Sequence, residues 1–270
     1  MRPVMVCLTL AALLSVSACS GGGSERNGAS DDSVKRAVAG WGEFPAERHP
    51  RPIVLLDALP ATSGPAKGVN RAETSIPLPT KNPGTTVVAL SDGDAPLEQI
   101  SAAEAFGGLA AHVARTPGEP KPIRIVGSRY GVREWATDRG SAKLPTWTFF
   151  TDSGGTAEWP ALAPGAFWKL GELRSSVSVQ VTSAGPEQTS LSATMLGPAS
   201  DCGDDKSQVD LLRYESESAV LIGLREAGPI RNDCDQNALG RTSERVIRLG
   251  KPLGGRVIID PHGDPIPVRQ

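Results

Sequence analysis

The pattern of apolar and polar positions divides the chain into three stretches. Behind a single charge at Arg2, apolar residues run from Val4 to Leu14 and give way to small residues at Ser15, Ser17 and Ala18. That is the layout of a secretory signal peptide over residues 1–18, and the run is shorter than the ~20 apolar residues a bilayer core requires. The next stretch opens "SGGGSERNGASDDS" and is dominated by glycine, serine and charge. Such a composition buries too little apolar surface to offset the entropy of ordering it, which predicts a flexible tether over 19–49. From residue 50 onward apolar residues recur at strand and helix spacing, so 50–270 is expected to hold the folded core, as one unit or as two subdomains, 50–170 and 171–270.

Within that region the spacing predicts mostly strands. "RPIVLLDAL" (51–59) and "TTVVAL" (85–90) read as short strands separated by a proline-rich loop. One helix is expected at about 101–114. Ser101 and Glu104 form a capping box, and Phe106, Leu109, Ala110 and Val113 make one apolar stripe, with His112 off it and facing solvent or a loop. "IRIVGSRYGVREWAT" and "LPTWTFF" read as a long hairpin around "DRGSAK", and a turn centred near Ser141 would set Trp135 opposite Trp147. "SSVSVQVTS" alternates with Val177, Val179 and Val181 on one face. "QVDLLRYE" and "SAVLIGLRE" make a second hairpin about Ser216, followed by "SERVIRL" and a short pair, "RVIID" with "PIPV". The expected class is α+β, mostly β, with antiparallel sheets.

Composition narrows the partners. Beyond residue 18 the chain carries 27 Lys plus Arg against 30 Asp plus Glu, a net charge of −3, and nucleic acid is not an expected partner. Of four cysteines, Cys7 lies in the signal peptide and Cys19 at its end. Cys202 and Cys234 remain, and in an oxidising compartment they are expected to form a disulfide closing a loop of 31 residues, a stabilisation of roughly 3–4 kcal/mol in the chain-entropy model.

Val16-Ser17-Ala18-Cys19 resembles the lipobox of bacterial lipoproteins. The resemblance implies a diacylglycerol on the Cys19 thiol, cleavage just before it, and attachment to the outer face of the cell membrane; two acyl chains suffice for stable anchoring. Farther along, "WATDRGSAKLPTWTFF", "YESESAVLIGL" and "KPLGGRVIIDPHGDPIPV" resemble segments that recur in this order in secreted and lipid-anchored actinobacterial proteins of unknown function. That similarity covers roughly residues 100–270 and implies no activity.

Four groups of residues invite a chemical reading. Asp152-Ser153-Gly154-Gly155 spells a serine-protease nucleophile loop, with His112 upstream. A two-barrel protease needs on the order of 100 residues between histidine and serine, so the run is read as turn chemistry. Asp260, His262 and Asp264 alternate as metal ligands do, but Pro261 and Gly263 between two apolar runs read as a hairpin turn, and no metal is expected. "DCGDDKSQVD" (201–210) is acidic but lacks EF-hand spacing. Trp135, Trp147, Trp159 and Trp168 fall within 34 residues. They are expected in the core, with the alternative that they form an exposed surface gripping an envelope glycan or protein. The phosphate-loop, Gly-x-Ser-x-Gly, His-Glu-x-x-His and Cys-x-x-Cys patterns do not occur. The sequence therefore points to a lipid-anchored, non-catalytic binding or structural module without a cofactor, the rival being an envelope hydrolase or transferase with an unrecognised site.

Overall fold

The computed structural model describes residues 30–64, 70–90, 92–115, 122–184, 187–197, 209–226 and 241–268. In chain order its elements are α1 (Asp31–Ala39), β1 (Ala61–Ser63), β2 (Arg71–Thr74), β3 (Thr85–Leu90), β4 (Gly93–Glu98), α2 (Ala102–Val113), β5 (Pro122–Thr137), β6 (Gly140–Thr151), β7 (Thr156–Pro160), β8 (Val179–Ser183), β9 (Ser190–Gly197), β10 (Val209–Glu215), β11 (Ala219–Glu226), β12 (Arg241–Arg248) and β13 (Val257–Ile259). The fold is α+β and mostly β, as the spacing predicts.

A five-stranded sheet runs in the order β1-β7-β6-β5-β2, antiparallel except where β2 lies parallel to β5. Helix α2 begins as its capping box dictates. The Ser101 hydroxyl accepts from the Glu104 backbone N–H at 3.3 Å, and the Glu104 carboxylate accepts from the Ser101 backbone N–H at 2.8 Å. Its buried face, Ala102, Ala105, Leu109 and Val113, packs with Ile123, Ile125, Trp147, Phe149, Ala157 and Trp159 of the sheet. On the opposite side, the two-stranded β3-β4 hairpin contributes Val88 to a second cluster with Trp135, Ala142, Leu144 and Phe167.

The C-terminal half holds two three-stranded sheets, β10-β11-β13 and β12-β9-β8. Strand β11 explains why "AVLIGL" is apolar without interruption: both of its faces are covered. Val220 and Ile222 meet Val179, Val181, Leu191, Ala193 and Met195, while Ala219 and Leu221 point the other way. Gly223 lies on the same strand where Pro261 crosses, and an added Cβ would stand 2.5 Å from the proline ring.

What covers Ala219 and Leu221 was expected to be part of the tether. Helix α1 and the turn after it place Val34, Ala37, Val38, Trp41, Phe44 and Ala46 against Ala219, Leu221, Val257 and Ile259. Residues 30–46, expected within a flexible tether over 19–49, therefore belong to the packed fold, while 19–29 lie outside the described residues. Ser30 caps α1, its hydroxyl accepting from the Ser33 N–H, and Trp41 donates its indole N–H to the Gly263 carbonyl at 2.9 Å. Four of these six apolar residues, Val34, Ala37, Val38 and Trp41, are spaced i, i+3, i+4 and i+7, among serine and charge that hid them.

Residues 53–56 tie the two halves together. Ile53 and Leu55 enter the cluster with Trp135 and Phe167, and Val54 and Leu56 enter the one with α1 and β11. The segment is extended, as the expected strand over 51–59 would be, but it has no ladder: it makes isolated bridges at Ile53 to Phe167 and Leu55 to Thr137. "PIPV" likewise makes only bridges, Pro265 to Ile259 and Val268 to Val181. Val177 lies outside β8 and is 96 % exposed, while Val179 and Val181 are buried.

The β5–β6 hairpin turns at Asp138-Arg139, not near Ser141, and Gly140, just after the turn, takes a positive φ of 96°, a backbone conformation open to glycine and strained for serine. Trp135 therefore faces Ala142, and Trp147 lies between Tyr130 on β5 and Trp159 on β7.

Candidate functional site

A buried cluster of charged side chains surrounds that hairpin turn. Arg51, 6 % exposed between two prolines, enters from the linking segment. Asp92 comes from the turn just before β4, and Asp138 and Arg139 from the β5–β6 turn. The Arg51 guanidinium donates from Nη2 to Asp138 Oδ2 at 2.9 Å, and its Nε lies 3.6 Å from Asp92 Oδ2. Its centre sits 5.6 Å from the Phe44 ring, a cation-π contact. Asp138, 3 % exposed, is also 3.6 Å from Arg139 Nε. Arg139 reaches across to the C-terminal half and donates from Nη2 to the carbonyls of Gly254 and Arg256 at 2.7 and 2.9 Å. Burial and the neighbouring Arg51 charge push its pKa down to about 10, against the pull of Asp138 and Asp92. It remains a cation at neutral pH.

The turn itself is fixed locally. Thr137 Oγ1 donates to the Gly140 carbonyl at 2.6 Å and accepts from the Arg139 N–H, while the Asp138 N–H donates to the Val54 carbonyl at 3.1 Å. The four charges cancel pairwise, which is the arrangement that keeps buried ions tolerable. They line a cavity of about 20 Å³, room for about one water. Three buried polar atoms face this region without a hydrogen bond in the structure, Arg51 Nε and Nη1 as donors and Asp92 Oδ2 as acceptor. A neutral group that both accepts and donates satisfies all of them; an anion meets two aspartates and a cation meets two arginines.

Parts of three sequence segments quoted above meet here or one step away. "ATDRG" supplies Asp138 and Arg139, and "PLGGR" supplies the carbonyls that Arg139 reaches. Glu215, at the start of "ESES", pairs with buried Arg256 at 2.9 Å. Arg256 in turn donates to the carbonyls of Lys251, Pro252 and Leu253, so the loop is pinned by its own arginine. No single-residue signal in the sequence marks this cluster: Arg51 and Asp92 are ordinary loop charges until the fold brings them together.

The residues picked out beforehand fall elsewhere. Trp135, Trp147 and Trp159 are buried and do not form an exposed surface; Trp135 donates to Thr146 Oγ1 and Trp147 to the Ile100 carbonyl, each at 2.9 Å. Trp168 is half-buried and packs with Trp41 and Phe44, at ring distances of 6.5 and 5.4 Å. Ser153 occupies an open turn, where its hydroxyl pairs with Thr151 Oγ1 at 3.0 Å. His112 rests 5.8 Å from the Trp159 ring under the loop carrying Gly171, and burial lowers its pKa. Asp260 Oδ1 accepts from the backbone N–H groups of His262 and Asp264 at 2.8 and 3.0 Å, the turn chemistry expected of "DPHGDP". Burial and the adjacent Asp260 raise the Asp264 pKa. Among the described residues no three His, Cys, Asp or Glu side chains gather as a metal site. Cys19, Cys202 and Cys234 lie outside the described residues, as does most of the acidic stretch 201–210.

No family model, no curated protein and no solved structure matches this chain.

Proposed function

We propose that the protein is a lipoprotein of the cell envelope, anchored through Cys19 at the extracytoplasmic face of the membrane, whose β-rich body binds or braces a partner and does not transform one. The observation that carries this reading is the lipobox at 16–19 followed so closely by folded chain. Ser30, the cap of α1, lies eleven positions after Cys19. At no more than ~3.6 Å per residue, the first helix stands within about 40 Å of the lipid, whatever path the chain takes. A body held that near a surface is suited to contact neighbours on it. The neutral, ion-paired character of the Arg51 cluster favours holding over turnover: each of its arginines is committed to an aspartate or to carbonyls, and the space between them admits about one water.

The test is the mass of the mature N-terminus with fractionation of cells expressing the intact chain and Cys19→Ser. The reading requires a diacylglyceryl-modified Cys19 and a membrane-bound product, with the serine variant released or unprocessed. An unmodified Cys19 in a soluble fraction would overturn it.

A further inference from the structure

Strand β5 is sixteen residues long, but β2 covers only its first part, from Pro122 to Ile125. Beyond that no described segment pairs with it until the linking segment returns, where the Leu56 N–H donates to the Ala136 carbonyl and the Ala136 N–H donates to Asp57 Oδ2. Between these two points lies an open slot in the sheet edge. Thr137 and Gly140 close a two-residue turn and so form a bonded pair; alternation back along the ladder directs the N–H and C=O of Ser128, Tyr130, Val132 and Glu134 away from β6. These backbone groups have no partner among the described residues.

Sheet edges of this length are ordinarily blunted by proline, lysine or a covering element. This one is not. Val132 and Tyr130 are 66 % and 40 % exposed. Arg133 is drawn aside onto Trp135, 4.2 Å from the ring, and pairs with Glu158. A bulge at Val126-Gly127 separates the slot from the part covered by β2.

Gly131, at the middle of the slot, is the second observation. Its φ is not positive and a Cβ there would meet nothing within 4 Å, so neither backbone conformation nor internal packing calls for glycine. Glycine within a strand marks close approach by another group, and in paired strands an aromatic side chain opposite it covers the bare backbone. On the same face, two residues away, Arg129 lies over Phe150 and has no acidic partner among the described residues.

We propose that the Ser128–Glu134 edge of β5 binds an extended peptide by strand addition, the peptide laying an aromatic side chain over Gly131 and presenting a carboxylate, two residues from it, to Arg129. Main-chain hydrogen bonds to the slot give affinity, and the aromatic and acidic positions give specificity. A second copy of this chain fits less well: antiparallel pairing centred on Gly131 sets Arg129 opposite Arg133, and like charges directly opposed destabilise. This rests on the envelope-module reading and names the class of partner.

The probe is a display library of linear heptapeptides, selected on the intact chain in detergent. Enriched peptides are expected to share an aromatic-x-acidic spacing and to slow amide exchange at Ser128, Tyr130, Val132 and Glu134. Val132→Pro removes an outward N–H that bonds nothing among the described residues, a position where an edge strand tolerates proline. It is expected to keep the fold and weaken binding about tenfold or more. Peptides that bind without protecting these amides, no enrichment at all, or a folded Val132→Pro that binds as tightly as the parent would overturn the proposal. So would protection that grows with protein concentration alone, which assigns the edge to a second copy. If Val132→Pro does not fold, the exchange pattern of the parent chain decides. Lipid on Cys19 is read separately: a lipidated chain that binds no peptide sinks this inference alone, and a peptide-binding chain without lipid sinks only the envelope assignment.

Discussion

Replacing Gly255 by alanine tests whether the N-terminal segment is part of the fold. An added Cβ would stand 1.8 Å from the Ala46 carbonyl oxygen and 2.8 Å from its carbon, where real contacts begin at 3.0 Å, so two backbones must part by about 1.2 Å. Neither is the tip of a flexible side chain. Overpacking of this kind costs about 1–3 kcal/mol, and the clash here is backbone on backbone, so the upper end is expected. The limiting case is full release of the segment. Val34, Val38, Trp41 and Phe44 are each under 9 % exposed. At about 1.5–3 kcal/mol apiece their burial is of the same order as the 5–15 kcal/mol by which a whole domain is stable. A chain beginning at residue 50 is accordingly expected not to fold. Urea denaturation followed by tryptophan emission suits the measurement, since Trp41 and Trp168 lie in the affected cluster. Gly255→Ala is expected to lose about 3 kcal/mol, a fall of roughly 6–12 °C in Tm for a chain of this size. Gly131→Ala, where a Cβ meets nothing, is the control and should gain about 0.4–1 kcal/mol. A Gly255→Ala protein within about 0.5 kcal/mol of the parent would refute the docking of residues 30–46.

Arg51→Met should cost about 3–5 kcal/mol by leaving Asp138 buried without its closest cation, and adding Asp138→Leu should restore part of it; equal loss in the single and double variants, read by urea midpoint, would deny the coupling. Ser101→Ala removes the hydroxyl half of the α2 capping box and is expected to lower stability by about 0.5–2 kcal/mol with no change in the far-ultraviolet spectrum beyond that helix. The His112 pKa is lowered in the fold by burial first, so the folded state prefers the neutral ring. Its contribution is complete above the unfolded value of about 6.5 and is lost as pH falls from there through the folded value. His112→Gln should flatten the thermal-stability profile on the acid side of pH 6.5, and an unchanged slope would exclude this histidine as its source.

What could be read from the sequence follows from how local each signal is. The α2 helix announces itself because a capping box and an apolar stripe need only one segment to be recognised, and the β10–β11 hairpin because its two runs flank Ser216. Register is less local. Whether Trp135 meets Trp147 or Ala142 turns on which residue takes positive φ, and Gly140 decides it against Ser141. Helix α1 failed for a different reason. Glycine, serine and charge before Asp31 merge with Asp31, Asp32, Lys35 and Arg36 on its solvent face, and the composition of the stretch overwhelms the few apolar positions that carry the packing. The Arg51 cluster was illegible altogether, because Arg51, Asp92 and Asp138 come from three separate segments and acquire meaning only when burial makes their charges depend on one another. Gly131 shows the converse: it is unremarkable in sequence, and becomes informative once the structure removes each internal reason for it. A strand edge left open beside a glycine that the fold itself does not require is therefore better explained by what approaches it from outside than by the packing of this chain.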